Sequence, residues 1–117
     1  MTQRVIFTID GHLPSRANQR GHWRNWAKVW KAQRTLAGVS ATLAFDNCAP
    51  KPPLIVTMTR ISPRLLDDDN LAAAFKSVRD GIADALGIDD RDPRITWKCE
   101  QAKGKPSRCE IAIERET

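Results

Sequence analysis

The chain has 117 residues, 41% of them hydrophobic and 28% charged, enough for one domain, residues 1–117, with its own apolar core. No apolar run approaches the roughly 20 residues of a membrane span. No basic-then-apolar leader opens the chain, and three widely spaced cysteines, Cys48, Cys99 and Cys109, argue against a disulfide framework or a zinc cluster. A reducing, cytoplasmic setting away from membranes is expected.

The net charge of +5 is unevenly laid out: residues 1–64 carry +8, residues 65–92 carry −5 and residues 93–117 carry +2. The acidic island is pure aspartate. A basic chain points to a polyanionic partner such as DNA. Carboxylates would repel that partner unless something neutralised them, and Mg²⁺ is the usual neutraliser.

In chain order, QRVIFTI at 3–9 mixes β-branched and aromatic residues and predicts a strand. GHLPSRANQRG follows as a long loop that carries Arg16 and Arg20. From Trp23 to about Leu43 the pattern is helical, with Val29, Ala32, Leu36, Val39 and Leu43 at spacings of three and four. Trp23, Trp26 and Trp30 adjoin that stripe, and Arg24, Lys28, Lys31 and Arg34 fill other positions. Such a surface either stacks on bases or buries its tryptophans in a core or dimer interface.

NCAPKPP at 47–53 is a rigid connector, and LIVTMTRI at 54–61 is the clearest strand. A second helix is expected from an Asp68 or Asp69 cap, with a buried stripe of Leu71, Phe75, Val78, Ile82 and Leu86 and a left-handed stop at Gly87. IDDRDPR is a charged loop, ITWKCEQ a strand, AKGKPS a basic turn holding Lys103 and Lys105, and RCEIAIER an alternating strand. The order implies an α+β domain with a mixed sheet and two main helices.

The sharpest chemical signal is Asp67-Asp68-Asp69-Asn70, with Asp89-Asp90-Arg91-Asp92 beyond the helix that follows. Mg²⁺ takes a few carboxylates and completes its octahedron with water and phosphate. In extended chain Asp67 and Asp69 point the same way. The competing reading is a capped helix start, which acids favour. A calcium hand does not fit: the required spacing of a glycine and a closing glutamate is missing, and Leu71 and Ala72 follow Asn70. Lys76 lies seven residues after Asp69, nearly two helical turns and so on one face; it either reaches the acidic site or forms a surface pair with Asp80. His12 and His22 have no evident partners, and no nucleophile triad or Gly-rich phosphate loop is present.

Three segments together resemble the RusA family of Holliday junction resolvases, common in phages and prophages. LPSRANQRGHW is similar to its Pro-Ser-x-x-Asn loop, DDDNLAAAFKSVRDGIADALG to its Asp-x-Asp-Asn-Leu motif with a lysine-bearing helix, and GIDDRDPRITW to its Gly-x-x-Asp-Asp-x-x-Ile segment. The resemblance implies a RusA-like fold and a Mg²⁺-dependent endodeoxyribonuclease. Such an enzyme would act in recombination and repair as a homodimer, nicking four-way junctions symmetrically. It implies Asp67, Asp69 and Asp90 as metal ligands, with Asp89 and Asp92 as substitutes for Asp90, and Lys76 as the charge-stabilising lysine. Counted from Asn70 that lysine falls on Ala73; counted back from Asp80 it falls on Lys76. Arg16, Arg20, Arg24, Lys28, Lys31, Lys103 and Lys105 are the candidate phosphate contacts. Competing readings are a Mg²⁺ nuclease on other branched or flapped DNA, and a non-catalytic DNA-binding module.

Overall fold

The computed structural model describes residues 4–11, 13–14 and 23–116, Trp23 and Arg24 by backbone alone. It contains β1 (Arg4–Asp10), α1 (Trp23–Phe45), β2 (Leu54–Ser62), α2 (Asp68–Ala74), α3 (Lys76–Leu86), β3 (Ile95–Lys103) and β4 (Arg108–Arg115). The expected α+β class and mixed sheet are what the chain forms. Four strands lie in the order β1-β4-β2-β3. Strands β2 and β3 are parallel and joined by the helical crossover α2–α3, while β4 is antiparallel to both β1 and β2.

Strand alternation sets the core side. Phe7 pairs with Ile111 and Ile111 with Met58, and Val5, Ile113 and Val56 form the next row. These side chains, with Ala37, Ala41, Phe45, Leu71, Phe75, Val78 and Ile82 from the helices, make one apolar cluster. Because β1, β2 and β3 run in one direction and β4 in the other, the ends of β1, β2 and β3 and the start of β4 lie at one end of the sheet. The loops after β1 and β2 and the β3–β4 turn therefore gather there.

The expected second helix is divided. Leu71, Phe75, Val78 and Ile82 are buried as the spacing requires, and Gly87 ends the run at φ 71°. Phe75, however, sits at φ −82°, ψ −5°, and separates α2 from α3. Phe75 is among the largest fully buried side chains, and i→i−4 bonds continue on both sides of it, from Phe75 N to Leu71 O and from Arg79 N to Phe75 O.

Helix α1 departs further from the pattern of its apolar residues. Val29, Leu36, Val39 and Leu43 are exposed, Leu43 at 75%, whereas Ala37, Ala41 and Phe45 are buried. The cause is the crossing with α3. A Cβ at Gly81 would overlap the Arg34 carbonyl oxygen and come within 2.9 Å of the Gly38 amide nitrogen. Backbones this close admit only small residues, so the face with Ala37, Gly38 and Ala41 turns inward and the bulkier stripe turns out.

This crossing reverses the usual sign of a helical glycine substitution. Ala in an unobstructed helix interior is better than Gly by about 1 kcal/mol. At Gly81 the overlap should make Gly81→Ala destabilising by about 1–3 kcal/mol, read as a lower urea midpoint.

Candidate functional site

The end of the sheet where β2 stops carries most of the residues singled out from the sequence. Its three loops are tied together by the backbone: Gly11 N donates to Ser107 O at 3.1 Å and Gly104 N to Ser62 O at 3.2 Å, with the Ser62 and Ser107 hydroxyls 3.5 Å apart. Lys103 closes β3 and Lys105 lies in the turn beyond it, both exposed. Lys28 and Lys31 are exposed on α1. Arg16 and Arg20 lie outside the described residues, and Arg24 is placed in the first turn of α1 by its backbone. Trp26 and Trp30 stack on each other at 5.5 Å, each half-buried.

The acidic turn begins α2, and its cap is Asp67 rather than Asp68 or Asp69. Asp67 is extended at φ −71°, ψ 166°, and its Oδ1 accepts from Asn70 N at 2.9 Å. Helical geometry starts at Asp68, so the strand-like alternation that would set Asp67 and Asp69 side by side stops at Asp67. Asp68 and Asp69 occupy the first turn, exposed, where the positive end of the helix dipole offsets their mutual repulsion.

Asp90 stands elsewhere. The loop after Gly87 leads into the start of β3, at the far end of the sheet from the acidic turn. Arg79 Nη2 and Trp97 Nε1 both donate to the Asp90 backbone oxygen at 3.0 Å. Arg79 Nε lies 3.5 Å from the Asp90 carboxylate, and the guanidinium sits 5.0 Å over the Trp97 ring. The other two acids of this loop are engaged locally. Asp89 accepts from Arg91 N at 2.8 Å. Asp92 pairs with Arg94 at 2.7 Å, and that side-chain hydrogen bond pushes its carboxyl down to about 2.

Among the described residues, no group of three or more His, Cys, Asp or Glu side chains could hold a metal ion together. A three-carboxylate site of Asp67, Asp69 and Asp90 therefore does not fit this arrangement. A site on the acidic turn alone does fit in donor chemistry: Mg²⁺ takes hard oxygens and commonly one or two carboxylates. Asp67 and Asp69 offer exposed carboxylates, and only one oxygen of Asp67 is spent on the cap.

Lys76 opens α3, with its ammonium 3.6 Å from Asp80 Oδ2. The break at Phe75 means that no continuous helix joins it to Asp69. With Trp30, Lys31, Arg34 and Asp80 it lines a groove of about 560 Å³ between α1 and α3. Arg34 grips Asp84 across that groove through two hydrogen bonds of 2.7 and 2.8 Å, which hold the Asp84 carboxyl below its usual range.

Residues that sequence patterns did not single out also shape the site. Arg60, 3% exposed, donates to Leu13 O at 2.9 Å and to Arg64 O at 2.7 Å. Burial pulls its guanidinium below the usual arginine range and pushes the Cys109 thiol up to about 11. Gln101 bonds Leu66 at both N and O. The available signal was parity: Arg60 continues the inward series Leu54, Val56, Met58, where an apolar residue is expected.

No family model matches the chain. An uncharacterized protein of Xylella fastidiosa (strain Temecula1) is 43% identical over 79 residues, covering 63% of this chain and 52% of that protein. The chain thus spans about half the length of this curated relative. Thiamine-monophosphate kinase from Stenotrophomonas maltophilia K279a superposes on 97% of this chain and 30% of its own, at TM-score 0.43 and 12% identity, too slight a likeness to bear on function.

Arg79 should matter for the loop that holds Asp90. Arg79→Met keeps the aliphatic stem but removes the bond to the Asp90 carbonyl and the contact with Trp97. Unfolding free energy should fall by about 1–2 kcal/mol, with amide exchange in residues 88–94 accelerated ahead of the rest of the chain.

Proposed function

We propose that this chain is a Mg²⁺-dependent, structure-specific endodeoxyribonuclease that resolves four-way DNA junctions by paired nicks as a homodimer. The observation that carries this reading is the placement of the aspartate turn at the same end of the sheet as the basic turn with Lys103 and Lys105. Phosphodiester hydrolysis needs cations beside carboxylates, and the resemblance of the acidic motif to that of the RusA resolvases points to the same chemistry.

Asp67 and Asp69 are the residues that would hold the ion, which when bound supplies Lewis-acid polarisation of a phosphate and a water of lowered pKa. The Asn70 amide fixes the Asp67 carboxylate through Oδ1. Lys103 and Lys105, with Lys28 and Lys31, attract the backbone phosphates on either side, an attraction that weakens as salt rises. Lys76 is the residue proposed to meet developing charge, for which it must exchange its Asp80 partner for a phosphate oxygen. Asp90, expected as a third carboxylate, stays with Arg79 and Trp97 at the other end of the sheet and is left out of this site.

Two observations favour a second reading, a DNA-binding module whose acids serve the helix: Asp67 is a working cap, and Asp90 stands apart from it. A nicking assay on a synthetic four-way junction, beside linear duplex and a flap, separates the readings. The resolvase should nick the junction in Mg²⁺ and stop in EDTA. Asp69→Asn should lower the rate by roughly 10² or more while junction binding survives or tightens. Flap cleavage without junction cleavage would indicate a nuclease on other branched DNA. Absence of cleavage with junction binding retained would indicate the module.

Two opposed strands need two aspartate turns, and a two-fold dimer is the economical way to supply them. The outward stripe of Leu36, Val39 and Leu43 offers it an apolar face. Light scattering at micromolar concentration should then give twice the 13.1 kDa chain mass without DNA; a monomer both on and off DNA would exclude paired nicking.

A further inference from the structure

A buried arginine with no carboxylate beside it is costly, because taking the charge out of water is repaid only by hydrogen bonds. Among the described residues, Arg60 is such a residue. It lies on the core side of β2, in register with Cys109 on β4 and with Gln101 on β3. The rows before it on that face are apolar, so an aliphatic residue would complete the core at lower cost. Instead Arg60 and its neighbour Gln101 reach past the end of the sheet toward two stretches of backbone.

Arg60 Nε holds the Leu13 carbonyl, in the loop after β1, and Nη1 holds the Arg64 carbonyl, in the loop after β2. Gln101 treats Leu66 as a strand would treat its partner: Oε1 accepts from Leu66 N at 2.9 Å, and Nε2 donates to Leu66 O at 2.6 Å. Leu66 immediately precedes the Asp67 cap. Residues 64–66 lie in no strand or helix, so these side chains fix a segment that the sheet ladder does not.

We propose that Arg60 and Gln101 are positioning residues: a polar latch on the sheet end that sets where the acidic turn begins and couples it to the loop after β1. The functional part rests on the nuclease reading above; the mechanical part does not. Neither side chain needs to touch DNA or metal. Their effect is carried through Arg64 and Leu66 to Asp67.

Amide exchange followed residue by residue tests the latch, with single-turnover nicking as the second readout. In Gln101→Leu the amides of Leu66 and Asn70 should exchange at least about tenfold faster than in the wild type. The thermal midpoint should shift by only a few degrees. The nicking step should slow about tenfold or more with junction affinity within twofold. Gln101→Glu adds a signature that mere destabilisation lacks. Ionised, it accepts from Leu66 N but cannot donate to Leu66 O; protonated, it does both. A carboxylate is the stronger acceptor, so at neutral pH Leu66 N should exchange no faster in Gln101→Glu than in the wild type, against its acceleration in Gln101→Leu, and Gln101→Met carries the test if Gln101→Leu does not fold. Unchanged protection of Leu66 in Gln101→Leu or Gln101→Met would overturn the latch. Faster exchange with wild-type nicking would overturn its positioning role. If the wild type cleaves no DNA in Mg²⁺, the nuclease reading fails, and exchange at Leu66 still decides for or against the latch.

Discussion

The close crossing of α1 over α3 is the constraint from which much of this molecule follows. Gly81 brings the α3 backbone against Arg34 O and Gly38 N, and no side chain larger than hydrogen fits between. That contact fixes the rotation of α1 about its axis. Ala37, Ala41 and Phe45 go into the core; Val29, Leu36, Val39 and Leu43 go to solvent. It also sets Arg34 opposite Asp84, whose paired hydrogen bonds span the groove beside the crossing. Both partners are half-exposed, so the pair contributes little stability and chiefly fixes orientation.

With the helices set on one face, the sheet decides what its ends present. Three strands run one way and one runs the other, so the loop after β1, the acidic turn after β2 and the basic β3–β4 turn meet at one end. The parallel β2–β3 pair has the opposite consequence for Asp90. A crossover between parallel strands must return to the starting end, and Asp90 lies in the last stretch of that return, gripped by Arg79 and Trp97. Chain direction alone thus separates carboxylates that the acidic island of the sequence lists together.

Polar residues on the core side of the sheet mark where apolar packing ends. The inward rows of β2 are apolar through Met58 and then turn polar at Arg60, alongside Gln101 on β3. Both spend their hydrogen bonds on backbone outside the ladder. The row that could have been core instead holds the approach to the acidic turn.

Much of the fold was legible in the sequence, because strands and helices follow local periodicity. All four strands, the long helix from Trp23 and the Gly87 stop lie within a few residues of where spacing and turn chemistry put them. The acidic turn was legible as a helix start, since consecutive aspartates suit the positive end of the helix dipole. Three features were decided only in three dimensions. The break at Phe75 has no counterpart in the apolar spacing, which runs on from Leu71 through Ile82. The outward stripe of α1 depends on a glycine in another helix, which no pattern within α1 can report. The placement of Asp90 away from Asp67 and Asp69, and the use of Arg60 and Gln101 to hold the turn, depend on strand direction and register. The sequence by itself determined which chemical groups the protein owns and the local structure that carries them. Which groups meet was left to the tertiary structure, because helix rotation and strand pairing are fixed by contacts between residues far apart in the chain.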